Sequence, residues 1–237
     1  MRFQVDNLVA GYGRIEVVHG VSLEVPEGDR VGLFGPNGHG KTTLLRAISG
    51  LIERRGGSIR FGDMDLTGAS SSGMVEEGVV HVPQGSALFP RMTVLEALTL
   101  GAYVGRAWGQ RRRSLDKVLT IFPRLAERRS QHCRTLSGGE RQMAAIGVGL
   151  MGCPRLLILD EPTLGLAPRI RSELAQAIHA IAETGVSLIA VDQDIEMLFG
   201  LCSRLYLIEQ GRVTLEVTDR SEVRHQEVLK RYFGSAA

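Results

Sequence analysis

The sequence predicts an α/β fold built on a mixed or parallel sheet, with an antiparallel β subdomain at the N-terminus and an inserted helical subdomain. Three observations carry this. Arg30-Val31-Gly32-Leu33-Phe34 reads as a short buried strand, and after a glycine-rich turn Thr42-Thr43-Leu44-Leu45-Arg46-Ala47-Ile48 reads as a helix stopped by Gly50. Two later strands, 156–159 and 186–191, are apolar almost without a break, which suits a parallel sheet covered on both faces. Between them and the first unit, residues 88–154 read as helices.

The elements follow in order. Residues 1 to about 30 read as strands: Phe3, Val5 and Leu8-Val9 form one apolar stretch broken by Gly11-Tyr12-Gly13. Val17-Val18 and Val21 to Val25 continue it to the turn Pro26-Glu27-Gly28. Gly57 to Phe61 is another short strand, ended by Gly62-Asp63. Thr93 with Glu96 has the spacing of a capping box, opening an apolar helix through Leu95, Leu98 and Leu100. A helix over 168–183 places Ile170, Leu174, Ala177, Ile178 and Ile181 at helical spacing. Leu205 to Ile208 and Val213 to Val217 flank Gln210-Gly211, a hairpin signal, and the polar tail from Ser221 reads as helical.

Composition narrows the function. The chain has 237 residues, 43% hydrophobic and 23% charged, ordinary for a globular protein with a sizeable core. A net charge of +2 gives no general attraction for nucleic acid, and Arg111-Arg112-Arg113 and Arg128-Arg129 read as solvated helix faces. No apolar run reaches the roughly 20 residues of a membrane-spanning helix. The first residues lack the apolar centre of a signal peptide, so a cytoplasmic location is expected. Cys133, Cys153 and Cys202 show no metal spacing and are expected as buried free thiols.

Gly35-Pro36-Asn37-Gly38-His39-Gly40-Lys41-Thr42-Thr43 matches G-x-x-x-x-G-K-[ST]. Glycines let the backbone approach a phosphate, and consecutive N–H groups then converge on one anion. Lys41 adds a cation, Thr42 offers a hydroxyl to magnesium, and the following helix contributes its positive end. Strand, loop and helix is the context this motif needs, and it predicts a nucleoside triphosphate.

Ligands of open parallel sheets gather beyond the carboxyl ends of strands. One strand end runs into the loop, a second into Asp160-Glu161, a third into Asp192-Gln193-Asp194. Asp160 suits a carboxylate that supports magnesium, and Glu161 one that deprotonates an attacking water. Leu136-Ser137-Gly138-Gly139-Glu140 is both a capping box and a second anion-binding turn. A second such turn is explained if one subunit closes over a nucleotide held by another.

These motifs, in this order and over essentially the whole chain, resemble the ATP-binding subunits of ABC transporters, and thus a P-loop NTPase core. Gly35 to Thr42 resembles the Walker A loop, and Leu156 to Asp160 resembles Walker B, with Glu161 at the catalytic glutamate. Leu136 to Glu140 resembles the LSGGQ signature, with Glu140 replacing its glutamine. Gln84 falls at the Q-loop glutamine that touches magnesium and faces the membrane partner; Tyr12 falls at the aromatic that stacks on adenine; 164–166 lies in the D-loop region. Gln193 stands where the family usually has a histidine switch, and a neutral amide cannot carry an imidazolium charge. His39, at a position often alanine or serine, reads as a solvent-facing variation, with a nucleotide contact as the alternative.

The resemblance implies one ATPase domain over 1–237, with 1–87 and 155–220 as the core, 88–154 as a helical subdomain carrying the signature, and 221–237 as a tail. It implies ATP and Mg²⁺, with 35–43 and Tyr12 on ATP, Leu136 to Glu140 on a partner's ATP, Thr42, Gln84 and Asp160 on the metal, and Glu161, Gln193 and Lys41 as catalytic. Gln193, Gly165-Leu166-Ala167-Pro168 and Arg231-Tyr232-Phe233-Gly234 resemble the branched-chain amino acid group, or its urea and short-amide relatives. Lipid cargo is an alternative, as is a soluble ATPase acting on ribosomes or DNA. The implied partners are a second ATPase subunit (the same chain or a paralogue with the histidine), membrane permeases and, indirectly, a periplasmic or extracellular binding protein. No nucleic acid is implied, and the implied place is peripheral, on the cytoplasmic face of the inner or plasma membrane.

Overall fold

A computed structural model of the chain describes residues 1–85 and 87–218. The expected helix from Ser221 lies outside the described residues.

Two sheets share the molecule. The first is antiparallel, in the order β2-β1-β4-β5, from β1 (Phe3–Tyr12), β2 (Ile15–Val25), β4 (Arg54–Phe61) and β5 (Met64–Asp65). The second runs β10-β9-β3-β8-β7-β6, from β3 (Arg30–Phe34), β6 (Val79–Val82), β7 (Leu156–Asp160), β8 (Ser187–Val191), β9 (Arg204–Glu209) and β10 (Arg212–Val217). Its four pairings from β9 to β6 are parallel, and β10 returns antiparallel through the Gln210-Gly211 turn. The antiparallel β subdomain, the mixed sheet and the hairpin stand as expected. β1 runs on through Gly11 to Tyr12 rather than breaking at Gly11, because Gly11 and Tyr12 still pair with β2.

The strand β6 is an addition to the sequence reading. Val79-Val80-His81-Val82 is short and interrupted by a histidine, yet it pairs in register with β7 and carries Pro83-Gln84 at its carboxyl end. The helices α2 (Ser71–Glu76) and α9 (Ile195–Leu201) are likewise additions.

The helix α1 (Lys41–Ile48) leaves the glycine loop, and α8 (Pro168–Glu183) has the bounds its spacing predicts. Between β6 and β7 lie α3 (Val94–Gly101), α4 (Gly105–Trp108), α5 (Arg111–Ile121), α6 (Pro123–Glu127) and α7 (Gly138–Met151). The capping box at Thr93 and Glu96 is formed, but α3 buries Val94, Ala97 and Leu98 while Leu95 and Leu100 face outward.

One apolar core lies on each face of the large sheet. Alternation along β7 splits it between them: Leu156 and Ile158 pack with α1 and the antiparallel sheet, Leu157 and Leu159 with the α3–α7 region and α8. The sheet is therefore buried on both sides, as near-continuous apolar strands require. Cys133 and Cys202 are buried and outside any disulfide; Cys153 departs from expectation, being half-buried beside Ser114 Oγ at 3.3 Å.

Candidate functional site

The parallel strands end on one rim of the sheet, and that rim collects most of the predicted residues. β3 passes into the loop 35–40, which turns through left-handed glycines before α1; Gly40 has φ 99°. The turn is also stitched from outside. His39 N donates to Pro36 O, Gly211 N donates to His39 O at 3.0 Å, and His19 N donates to Gly211 O at 2.8 Å. A Cβ on Gly211 would stand 1.9 Å from Val17 O, so only glycine fits there.

His39 is not simply solvent-facing. It is half-buried, and its Nδ1 accepts from Gln210 N at 3.2 Å, because the β9–β10 turn packs against the loop. A backbone amide can only donate, so Nδ1 is the unprotonated nitrogen in this contact.

Lys41 is buried and its Nζ donates to Gly35 O at 2.6 Å and Pro36 O at 3.0 Å. Burial pulls its pKa down, against the opposing pull of Glu161 and Asp160. Thr42 Oγ1 donates to Asp160 Oδ1 at 3.3 Å. Burial pushes the Asp160 carboxyl up; Thr42 opposes this, the Glu161 charge adds to it, and Arg46 and Lys41 oppose it further.

Glu161 lies at the centre of the rim. Gln84 Nε2 donates to its Oε2 at 3.0 Å, and Gln193 Nε2 lies 3.3 Å from both carboxylate oxygens. Both amides use their nitrogen here, and an amide oxygen can accept or ligate. A cleft of about 210 Å³ opens between Phe34–Asn37 and Asp192, Gln193 and Ile195. Tyr12 is exposed, and Arg46 Nη1 donates to its hydroxyl at 3.2 Å.

The turn 136–140 stands apart: among the described residues no hydrogen bond or ion pair joins it to the loop 35–43. Ser137 Oγ accepts from Glu140 N at 3.4 Å, and Glu140 Oε2 accepts from Ser137 N at 2.9 Å. Arg128 Nε sits 2.6 Å from Glu140 Oε1. Burial raises the Glu140 carboxyl, but the bonds from Ser137 and the Arg128 charge outweigh it, and the pKa ends below the ordinary value. A Cβ on Gly139 would meet Ile170 Cγ2 at 2.4 Å, so α7 and α8 approach closely there.

Sequence reasoning missed Thr163, Asp192 and Arg46. Asp192 was visible only as one of three polar residues at a strand end, and its buried partner is 29 residues away.

Comparison with known proteins places this geometry. The family model described as ABC transporter matches residues 18–164. A high-affinity branched-chain amino acid transport ATP-binding protein, BraG of Pseudomonas aeruginosa, is 39% identical over 97% of this chain and 98% of its own length. The lipopolysaccharide export system ATP-binding protein LptB of Haemophilus influenzae is 29% identical over 97% of this chain and 95% of its own. The crystal structure of the ADP conformation of MJ1267, an ATP-binding cassette of an ABC transporter, superposes with a TM-score of 0.83 at 24% identity, over 99% of this chain and all of that one. With a triphosphate-loop geometry beside a carboxylate flanked by two amides, and a family match across more than half its length, the chain belongs to the ABC transporter family and is one of its ATPases.

Proposed function

We propose that this ATPase powers an importer of branched-chain amino acids, as one domain of a dimer that sandwiches ATP. The single observation that carries the site reading is the Glu161 carboxylate held between the Gln84 and Gln193 amides. A carboxylate so placed accepts a proton from water attacking the terminal phosphate. Gln193 steadies that phosphate as a neutral donor. Lys41 turns from the Gly35 and Pro36 carbonyls to the outer phosphates, and the amides of 35–43 hold the rest, with Tyr12 against adenine.

The donor set fits magnesium. Thr42 Oγ1, the Oε1 of Gln84 and the Asp160 carboxylate are all hard oxygens, and a Mg²⁺ site of this kind uses one or two protein groups plus phosphates. When bound, the ion would offset the phosphate charge; Thr42 and Gln84 would hold it, with Asp160 in support.

The turn 136–140 would cover the nucleotide of the neighbouring subunit. The working complex then pairs this chain with a copy or a histidine-bearing paralogue, docked on permeases at the cytoplasmic face near Gln84 and the helical subdomain. A substrate-binding protein acts at one remove. Among the described residues no helix is long and apolar enough to cross a membrane. The cargo reading rests on the BraG likeness and on Gln193; urea or short amides are the alternative with the same ATPase.

The test is Glu161→Gln. ATP binding persists, while hydrolysis and leucine uptake driven by the complex fall roughly 10²–10⁴-fold, the usual share of a general base. Hydrolysis at full rate removes Glu161 from this role. Active hydrolysis with urea uptake in place of leucine uptake overturns only the cargo.

A further inference from the structure

We propose that Asp192 is a positioning residue that, through Thr163, sets the distance between Glu161 and Gln193. The inference rests on the reading of Glu161 given above.

Asp192 and Thr163 are each 3% exposed. Asp192 Oδ2 accepts from Thr163 Oγ1 at 2.8 Å and Thr163 N at 3.2 Å, and Oδ1 accepts from Asp194 N at 2.9 Å. Among the described residues Asp192 makes no ion pair. Burying a carboxylate without a cation is costly unless hydrogen bonds replace its water, and here three donors do so. Helix capping does not account for it. The N-cap of α9 is Asp194, whose own side chain accepts from Met197 N.

The location gives the charge a purpose. The β7–β8 ladder ends with Asp160 opposite Val191. Glu161 and Asp192 are the first residues beyond it, and Glu161 N donates to Val191 O at 2.8 Å. Glu161 has φ 48°, a left-handed conformation that non-glycine residues hold only when their surroundings impose it. Thr163 is two residues after Glu161, and Gln193 is one after Asp192. The Thr163–Asp192 bonds therefore close a short loop around the Glu161–Gln193 contact, which at 3.3 Å tolerates little drift.

The test is kinetic, on the purified chain with ATP and magnesium. Asp192→Ala lowers kcat by roughly 10–100-fold and leaves KM for ATP within about 2-fold, as expected when a catalytic group is misplaced by about an ångström. Thr163→Val lowers kcat in the same sense. Asp192→Asn restores most of the activity, since its amide oxygen still accepts from Thr163. In a Glu161→Gln background, Asp192→Ala adds no further loss, the non-additivity of groups that act as a unit.

A readout independent of turnover is amide hydrogen exchange, which speeds up over 161–163 in Thr163→Val. That variant decides the matter if Asp192→Ala does not fold. Normal kcat in Thr163→Val and Asp192→Ala, or a full extra loss in the Glu161→Gln background, overturns the inference. If Glu161→Gln alone hydrolyses at full rate, it is the reading of Glu161 that fails.

Discussion

His81 points both ring nitrogens into the protein interior beside Arg46, and neither has a partner among the described residues. Burial, and then the Arg46 charge, lower its pKa from 6.5 to about 4. The folded state thus binds the proton less readily than the unfolded chain. Stability is full above the unfolded value near 6.5 and declines as pH falls toward 4. Between pH 7 and pH 5 this one group costs about 2 kcal/mol by linkage. His81→Leu should flatten the fall by that amount in urea unfolding at the two pH values. At this scale the sequence was legible where a motif forces a residue type. Lys41, Thr42, Asp160, Glu161, Gln84 and Gln193 all arrive on one rim. It was not legible where meaning comes from a partner far along the chain: His39 reads as exposed until Gln210 is folded against it, and Asp192 reads as one polar residue at a strand end until Thr163 is found.

Among the elements, those with a local chemical signal were read well. The capping box opens α3 with Glu96 Oε2 accepting from Thr93 N at 2.8 Å, and a second opens α7. Replacing Thr93 by alanine should cost about 1 kcal/mol in denaturant unfolding, the usual worth of an N-cap. The helix α8 and the β9–β10 hairpin were equally plain, from apolar spacing and from the Gln210-Gly211 turn. The strand β6 was not. Four residues with a histidine third give neither alternation nor an apolar run, and only pairing with β7 makes them a strand. Exposure of Leu95 and Leu100 has the same origin, since the stripe that α3 buries is set by what packs on it.

For the molecule as a whole, the two cores and the doubly covered sheet were expected from apolar strands alternating with helices. The fold keeps the glycine loop and the 136–140 turn on separate elements. Loop 35–43 lies on the rim of the sheet, whereas 136–140 opens α7 and packs toward Ile170. On the proposed sandwich, Glu161→Gln should double in mass with ATP and magnesium by light scattering. Adding Ser137→Phe should hold it as a monomer, with circular dichroism verifying that α7 survives. A monomer in the first case would contradict the sandwich.

The chain of contacts from His19 through Gly211 to His39 fastens the loop to the β9–β10 hairpin and to β2. A cradle that is already taut gives up little freedom when it closes on a phosphate, so its grip depends on the contacts made rather than on the ordering required. Slackening that tether at the far side of the hairpin would weaken nucleotide capture without touching a single atom that meets the nucleotide.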